Sequence, residues 1–290
     1  MKKAIAIAVF LLFTLLAFVR LAAAAGHVNG TDMLVLRIAD RQVISFARMI
    51  REISGPDVIL IGESHGSVTD HRMELDIIRA LHASVAPLAL GMEMFRADSQ
   101  RELDGWVTGD IPLESFRKVY HDNWEMPWSL YSGILLYARQ VRMPVFGLNV
   151  PTEISDKVFE HGFDSLSPAE KKGLPAGITC TVDEEYMRYI REMYRFHAGM
   201  GGQSFYDFCQ AQMLWDSVMA RNIVETLKRM PGMKMVVIAG VGHAWKRGIP
   251  AQIGKISDYR CVVVLPAMPN GKSVREITTS DADYILLGRE

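Results

Sequence analysis

The chain has 290 residues, 49% of them hydrophobic and 22% charged, enough for one large core or two small ones. A formal net charge of −1 argues against a nucleic-acid partner, because such a protein carries a strong basic excess. The three cysteines, Cys180, Cys209 and Cys261, match neither a disulfide framework nor a zinc spacing.

Met1-Lys2-Lys3, an apolar run and four alanines ending at Ala25 have the order of a secretory signal peptide. Arg20 limits the apolar run to about sixteen residues, short of the ~20 that span a bilayer, so cleavage near Ala25 is expected rather than a retained anchor. No cysteine stands beside the cleavage site, which leaves no place for a lipid anchor. The mature chain is therefore expected to be exported, and periplasmic if the source is Gram-negative. Residues 26–34 read as a leader. Residues 35–290 read as one domain, with a helical insertion at about 161–202.

Within that domain, residues 35–38 suggest a weak strand, and residues 44–53 have helical periodicity. Val58-Ile59-Leu60-Ile61 follows Gly55-Pro56 and stops at Gly62, which reads as a strand buried on both faces of a parallel sheet. Met73, Ile77, Ile78 and Leu81 predict a helix from about Asp70. A strand ending at Glu93 and a helix holding Leu103 and Trp106 come next. Residues 107–131 look irregular. Residues 130–141 read as a helix, and residues 145–148 as a further buried strand. Beyond the insertion, helices are expected at 184–197 and 205–230. Strands are expected to end at Ala239 and to cover 262–265, and the tail from Val274 could add an edge strand. Alternation of strands with helices predicts an α/β fold, mainly a parallel sheet flanked by helices, with a helical insertion.

Chemistry gathers at the strand ends. Two strands finish in Gly-x-x-His, Gly62 to His65 and Gly240 to His243, and a third finishes in Glu93. If these strands are parallel, Glu63, His65, Glu93 and His243 converge in the crevice beyond their carboxyl ends, where open α/β sheets bind ligands. Imidazoles and carboxylates so placed can hold a divalent metal or act as base and electrostatic stabiliser. His71, at the start of the next helix, lies near them in sequence. Gly62-Glu63-Ser64-His65-Gly66 also fits Gly-x-Ser-x-Gly, a hydrolase elbow. Only one candidate strand precedes it, and no Gly-rich oxyanion stretch is visible upstream.

The helix at 184–197 is rich in Tyr, Met and His. Its stripe of Tyr186, Ile190, Met193 and His197 reads most simply as packing on the core. Phenolate, imidazole and thioether are also the axial ligands of haem iron, so Tyr186, Tyr189, Tyr194 and His197 are candidate haem-binding residues. Without Cys-x-x-Cys-His, such haem would be held non-covalently.

Five motifs, Ile59-Leu60-Ile61-Gly62-Glu63-Ser64-His65, Gly91-Met92-Glu93-Met94-Phe95, Asn149-Val150-Pro151, Gln212-x-x-Trp215-Asp216-x-x-Met219-Ala220 and Ala239-Gly240-Val241-Gly242-His243, together resemble the ChaN-type haem-binding lipoproteins of the wider haem-uptake and Tiki-like superfamily. The resemblance spans roughly residues 35–265. It implies a parallel α/β core with helical additions, a place in the bacterial envelope and a role in haem or iron acquisition. In that family haem can sit between two subunits and be held by a tyrosine, so the resemblance brings haem or iron, a homodimer and a haem-uptake receptor as expected partners. The lipoprotein cysteine is absent, so membrane tethering is not carried over. The Gly-x-x-His pair also resembles metal-dependent peptidases of the superfamily and, more distantly, erythromycin esterases. In that alternative the cleft is a metal-dependent hydrolase site, with Glu63 or Glu93 as general base.

Overall fold

The structure is a computed structural model and describes residues 33–193, 204–267 and 273–289. The expected signal peptide and most of the leader, and Tyr194 and His197 of the aromatic segment, lie outside the described residues.

The chain opens with the hairpin β1 (Met33–Arg37) and β2 (Gln42–Ser45) and the helix α1 (Phe46–Ile53). Ser45 accepts a hydrogen bond from the Arg48 N–H and so caps α1, which puts Ile44 in a strand and not, as its spacing predicts, in the helix. The units β3 (Val58–Glu63), α2 (Val68–Ser84) and β4 (Leu88–Arg96) follow. Ser67 caps α2 through the Asp70 N–H, and this sets the turn that carries His65. Next come α3 (Gln100–Thr108), α4 (Leu113–Asn123), α5 (Trp128–Val141) and β5 (Val145–Asn149). The stretch expected to be irregular thus contains a regular helix, α4, which buries Phe116 and Tyr120 at one-turn spacing.

Beyond β5 lie α6 (Thr152–His161), α7 (Pro168–Gly173), α8 (Glu184–Met193) and the long α9 (Phe205–Arg229). The chain ends with β6 (Lys234–Gly240), the short turn α10 (Val241–Ala244), α11 (Ile249–Ile256), β7 (Cys261–Pro266) and β8 (Tyr284–Arg289). No described helix is long and apolar enough to cross a membrane.

All eight strands form one sheet in the order β2-β1-β8-β7-β3-β6-β4-β5. The strands from β8 to β5 are mutually parallel, and β1 runs against both of its neighbours. The tail strand β8 is not an edge strand. It is inserted between β1 and β7, and Val274 belongs to a short turn before it. Successive residues of a strand face opposite sides. Ile59 and Ile61, with Val236 and Ile238, therefore pack under α1 to α5. Leu60, with Val237 and Ala239, packs under α8, α9 and α11. A third cluster joins α6 and residues 166–180 to Ala211, Leu214 and Val218 of α9.

The order of the central strands decides where the chemistry lies. Strand β6 returns from late in the sequence and inserts between β3 and β4, with Glu63 opposite Gly240 and Met92 opposite Ile238. Three parallel neighbours therefore finish side by side.

Candidate functional site

Glu63 is the last residue of β3 and its carboxylate is fully enclosed. Its Oε1 accepts from the Tyr131 hydroxyl at 2.5 Å and pairs with His65 Nδ1 at 2.6 Å, while Oε2 lies 2.9 Å from His71 Nδ1. His71 also meets Glu74 Oε2 at 3.0 Å through Nδ1, and its Nε2 donates to the His65 carbonyl at 3.1 Å. Every neighbour of this ring is an acceptor, so both nitrogens carry protons. Burial works against the charged ring, but the hydrogen bonds to Glu63 and Glu74 prevail and push its pKa up to about 10. Burial likewise raises Glu63, yet donation from His65 and His71 holds its carboxyl down at about 2. Glu74 moves the other way: burial and the charge of Glu63 push its carboxyl well up. Two carboxyl groups whose pKa values are pushed apart, Glu63 down and Glu74 up, thus flank the single His71 ring.

The second half of the site hangs on β4, β6 and α9. Glu93 Oε2 accepts the Gly240 N–H at 2.6 Å, and Glu93 Oε1 lies 3.7 Å from His243 Nε2. His243 Nδ1 pairs with Asp216 Oδ1 at 2.7 Å, and Asp216 Oδ2 accepts from the Tyr186 hydroxyl at 2.7 Å. The Tyr189 hydroxyl donates to the Gly242 carbonyl and fixes the turn that bears His243. Burial opposes the His243 charge, but the carboxylates of Glu93 and Asp216 raise its pKa to about 9. Asp216 is raised by burial, which His243 and Tyr186 only partly offset.

The two Gly-x-x-His histidines are therefore held alike. Each has Nδ1 committed to a buried carboxylate, Glu63 for His65 and Asp216 for His243, which fixes the ring and leaves Nε2 for chemistry. His65 is raised by Glu63 and Glu93 against the effect of burial. Gly240 is needed here: a Cβ at this position would stand 2.9 Å from Cε1 and Nε2 of His65. The indole of Trp124 meets His65 edge-on at 5.0 Å, and that of Trp215 meets His243 at 5.6 Å.

The four residues expected to converge do reach one sheet edge, but they do not aim at one point. His65 and Glu93 line a cleft of about 560 Å³, while Glu63 stands behind His65 and faces His71 and Glu74. Among the described residues, the His, Cys, Asp and Glu side chains close enough to share one metal ion are Glu63, His71 and Glu74. Ser64, the elbow candidate, is exposed, and among the described residues no histidine bonds its hydroxyl. Carboxylates outnumber cations on the cleft wall, where Asp122, Glu125, Glu153 and Asp156 join Glu93 beside Arg96 and the histidines His65 and His121. Burial and the charges of Glu160, Glu153 and Glu125 push Asp156 up.

Of the aromatic-helix residues, Tyr186 and Tyr189 are buried, with their hydroxyls already donating within the fold. Either phenol would have to give up that hydrogen bond to ligate iron. Sequence reasoning missed Glu74, although its i, i+3 spacing from His71 puts both on one helix face. It also missed the joining of Tyr186 to His243 through Asp216, which no local pattern carries.

A family profile described as haem-binding uptake, Tiki superfamily, ChaN matches residues 49–253. No curated protein matches the chain significantly. Among solved structures, one describing cofacial haem binding to ChaN of Campylobacter jejuni superposes with a TM-score of 0.68 at 22% identity, covering 89% of this chain and 98% of that one. The type III effector HopBA1 is a weaker likeness, with a TM-score of 0.48 and 12% identity over 83% of this chain and 92% of that one. An erythromycin esterase EreC mutant in its open conformation also gives 0.48, at 10% identity over 88% of this chain and 83% of that one.

Proposed function

The chain belongs to the haem-binding uptake family of the Tiki superfamily, ChaN, and we propose that it is an exported protein that binds haem or iron for acquisition. The observation that carries this is the family match over residues 49–253, which supports a haem-binding role. Haem or iron is the cargo in this reading, held non-covalently, with a second copy of the chain and a haem-uptake receptor as partners. The carboxylates of the strand-end cleft repel haem propionates, so haem docks elsewhere on the chain. Because Tyr186 and Tyr189 spend their hydroxyls on Asp216 and Gly242, the iron ligand is sought at Tyr194 and His197. Titration of the mature chain with haemin is expected to give a Soret shift that saturates at a defined ratio. Tyr194→Phe or His197→Ala is expected to change the ferric spectrum. A chain that gives no saturable shift does not have this function.

A second reading is favoured by one observation, the paired histidines with Nδ1 held by a carboxylate and, among the described residues, no hydrogen bond at Nε2, that of His243 lying 3.7 Å from Glu93 Oε1. In this reading the cleft is a metal-dependent hydrolase site, with Glu63, His65, Glu93 and His243 as its residues and a movement of their side chains needed for a shared ion. The cleft's carboxylates suit a divalent cation, and such an ion would supply an activated water. Glu93 is placed to take a proton, while Glu63 and Asp216 hold the histidines in register. Elemental analysis of purified protein is the test. Metal retained by the wild type and lost in His65→Ala and His243→Ala supports the reading, and wild-type protein that retains none after metal loading ends it.

A further inference from the structure

A second pocket, on the α9 and α11 side of the sheet, has the opposite chemistry from the strand-end cleft. It has a volume of about 190 Å³ and lies between residues 177–181, the middle of α9 and the end of α11. Among the described residues no acidic side chain lines it, whereas Arg221 and Lys255 both do, together with the hydroxyls of Thr179, Thr181 and Ser217. The Arg221 Nε is buried and has no hydrogen-bond partner among the described residues. A desolvated guanidinium nitrogen without an acceptor is costly, and native folds rarely keep one without a use.

The surroundings are built to leave that guanidinium available. Gly177 adopts φ 80, and a Cβ there would stand 3.0 Å from Arg221 Nη2, so the backbone lies close against the planar group. Among the described residues Lys255 donates to the neutral oxygen Oε1 of Gln252, at 3.1 Å, and forms no ion pair. Gln252 is itself more than nine-tenths buried. With its oxygen turned to Lys255, its amide N–H groups lack an acceptor among the described residues and line the same pocket. Guanidinium, ammonium, amide and hydroxyl groups thus line one pocket that, among the described residues, no carboxylate lines.

We propose that this pocket is a binding site for an anionic oxygen group, a carboxylate or phosphate, with the planar Arg221 fork as its main anchor. The volume admits one such group on a short stem and excludes a macrocycle, since whole drug-sized ligands need roughly 300–1,000 Å³. The group can belong to a free small anion or to one arm of a larger ligand lying outside the pocket.

Calorimetric titration of the mature chain separates these sources, using inorganic phosphate, succinate, haemin and haemin dimethyl ester as probes. Saturable binding of phosphate or succinate, weakened about ten-fold or more by Arg221→Gln, is expected for a free anion. A preference for haemin over its dimethyl ester that Arg221→Gln erases assigns the pocket to a propionate arm and equally supports the proposal. If Arg221→Gln changes none of these four titrations, the proposal is overturned. The phosphate and succinate arms stand even for a chain that fails to bind haemin, so the two ideas fail separately. Lys255→Gln alters an exposed side chain and carries the same comparison should Arg221→Gln not fold.

Discussion

Replacing Tyr186 by Phe removes one oxygen and leaves the ring packed against Tyr189, 5.8 Å away between centroids. The lost hydroxyl donates to Asp216 Oδ2 at 2.7 Å inside the core, leaving that carboxylate with its His243 partner. A hydrogen bond to a charged buried group contributes about 1.5–3 kcal/mol. For a domain of this size each kcal/mol shifts Tm by roughly 2–4 °C, so Tyr186→Phe is expected to lower Tm by about 3–12 °C. The ferric haem spectrum is expected to stay as it is in wild type, because this hydroxyl belongs to Asp216 and not to iron. Thermal melting by circular dichroism and a haemin spectrum of the same sample measure both effects. An unchanged Tm together with an altered ferric spectrum would refute the reasoning and return Tyr186 to the list of iron ligands.

Alkaline pH should destabilise the fold. His71 and His243 are raised above their ordinary 6.5 to about 10 and about 9, so their contribution is complete below pH 6.5 and is lost as pH rises through 9–10, and the raised Glu74 carboxyl acts in the same direction. Urea midpoints at pH 7 and pH 10 measure this, and equal values would contradict the paired imidazolium. Glu63, lowered from 4.5 to about 2, contributes above pH 4.5, and this part is lost as pH falls toward 2. Gly240→Ala presses a methyl group against Cε1 and Nε2 of His65 at 2.9 Å, at the cleft end of the ring, so the chain should fold with the ring displaced from Glu63 and the His65 NMR titration shifted toward its ordinary value. An unmoved titration would show that the ring does not lie where the structure puts it. Gly62→Ala meets the Leu265 side chain at 2.6 Å inside the sheet and is expected to cost about 1–3 kcal/mol in chemical denaturation.

How far the sequence discloses this architecture depends on the kind of burial each element has. Strands β3 and β6 are legible because both faces are covered, which makes them unbroken apolar runs with abrupt polar ends. Helix α4 is hard to see because Phe116 and Tyr120 are its buried residues and polar groups occupy most other positions. The place of β8 is invisible locally, since nothing in Tyr284–Arg289 records that β1 and β7 will flank it. The same holds for the site. Glu63, His65, Glu93 and His243 announce themselves at strand ends, whereas Asp216 and Tyr186 look like interior residues of amphipathic helices until the fold joins them.

That join changes how binding and catalysis have to be told apart. From sequence, the aromatic helix and the strand-end histidines look like separate sites that separate mutations could test. In the fold, Tyr186 reaches His243 through Asp216, and Tyr189 grips the Gly242 carbonyl. A substitution at either tyrosine therefore disturbs both a haem-ligand hypothesis and the second histidine. His65 is free of this linkage, because its partners are Glu63 and, through Glu63, the Tyr131 hydroxyl and His71. The discriminating variant is thus His65→Ala. It removes a ring that is partly exposed at the cleft and leaves the Tyr186–Asp216–His243 chain intact. If haemin binding survives His65→Ala while metal retention is lost, cargo binding and cleft chemistry are separate properties of one chain. If haemin binding is lost as well, haem must engage the strand-end cleft despite its carboxylates, and the electrostatic argument that places it elsewhere is wrong.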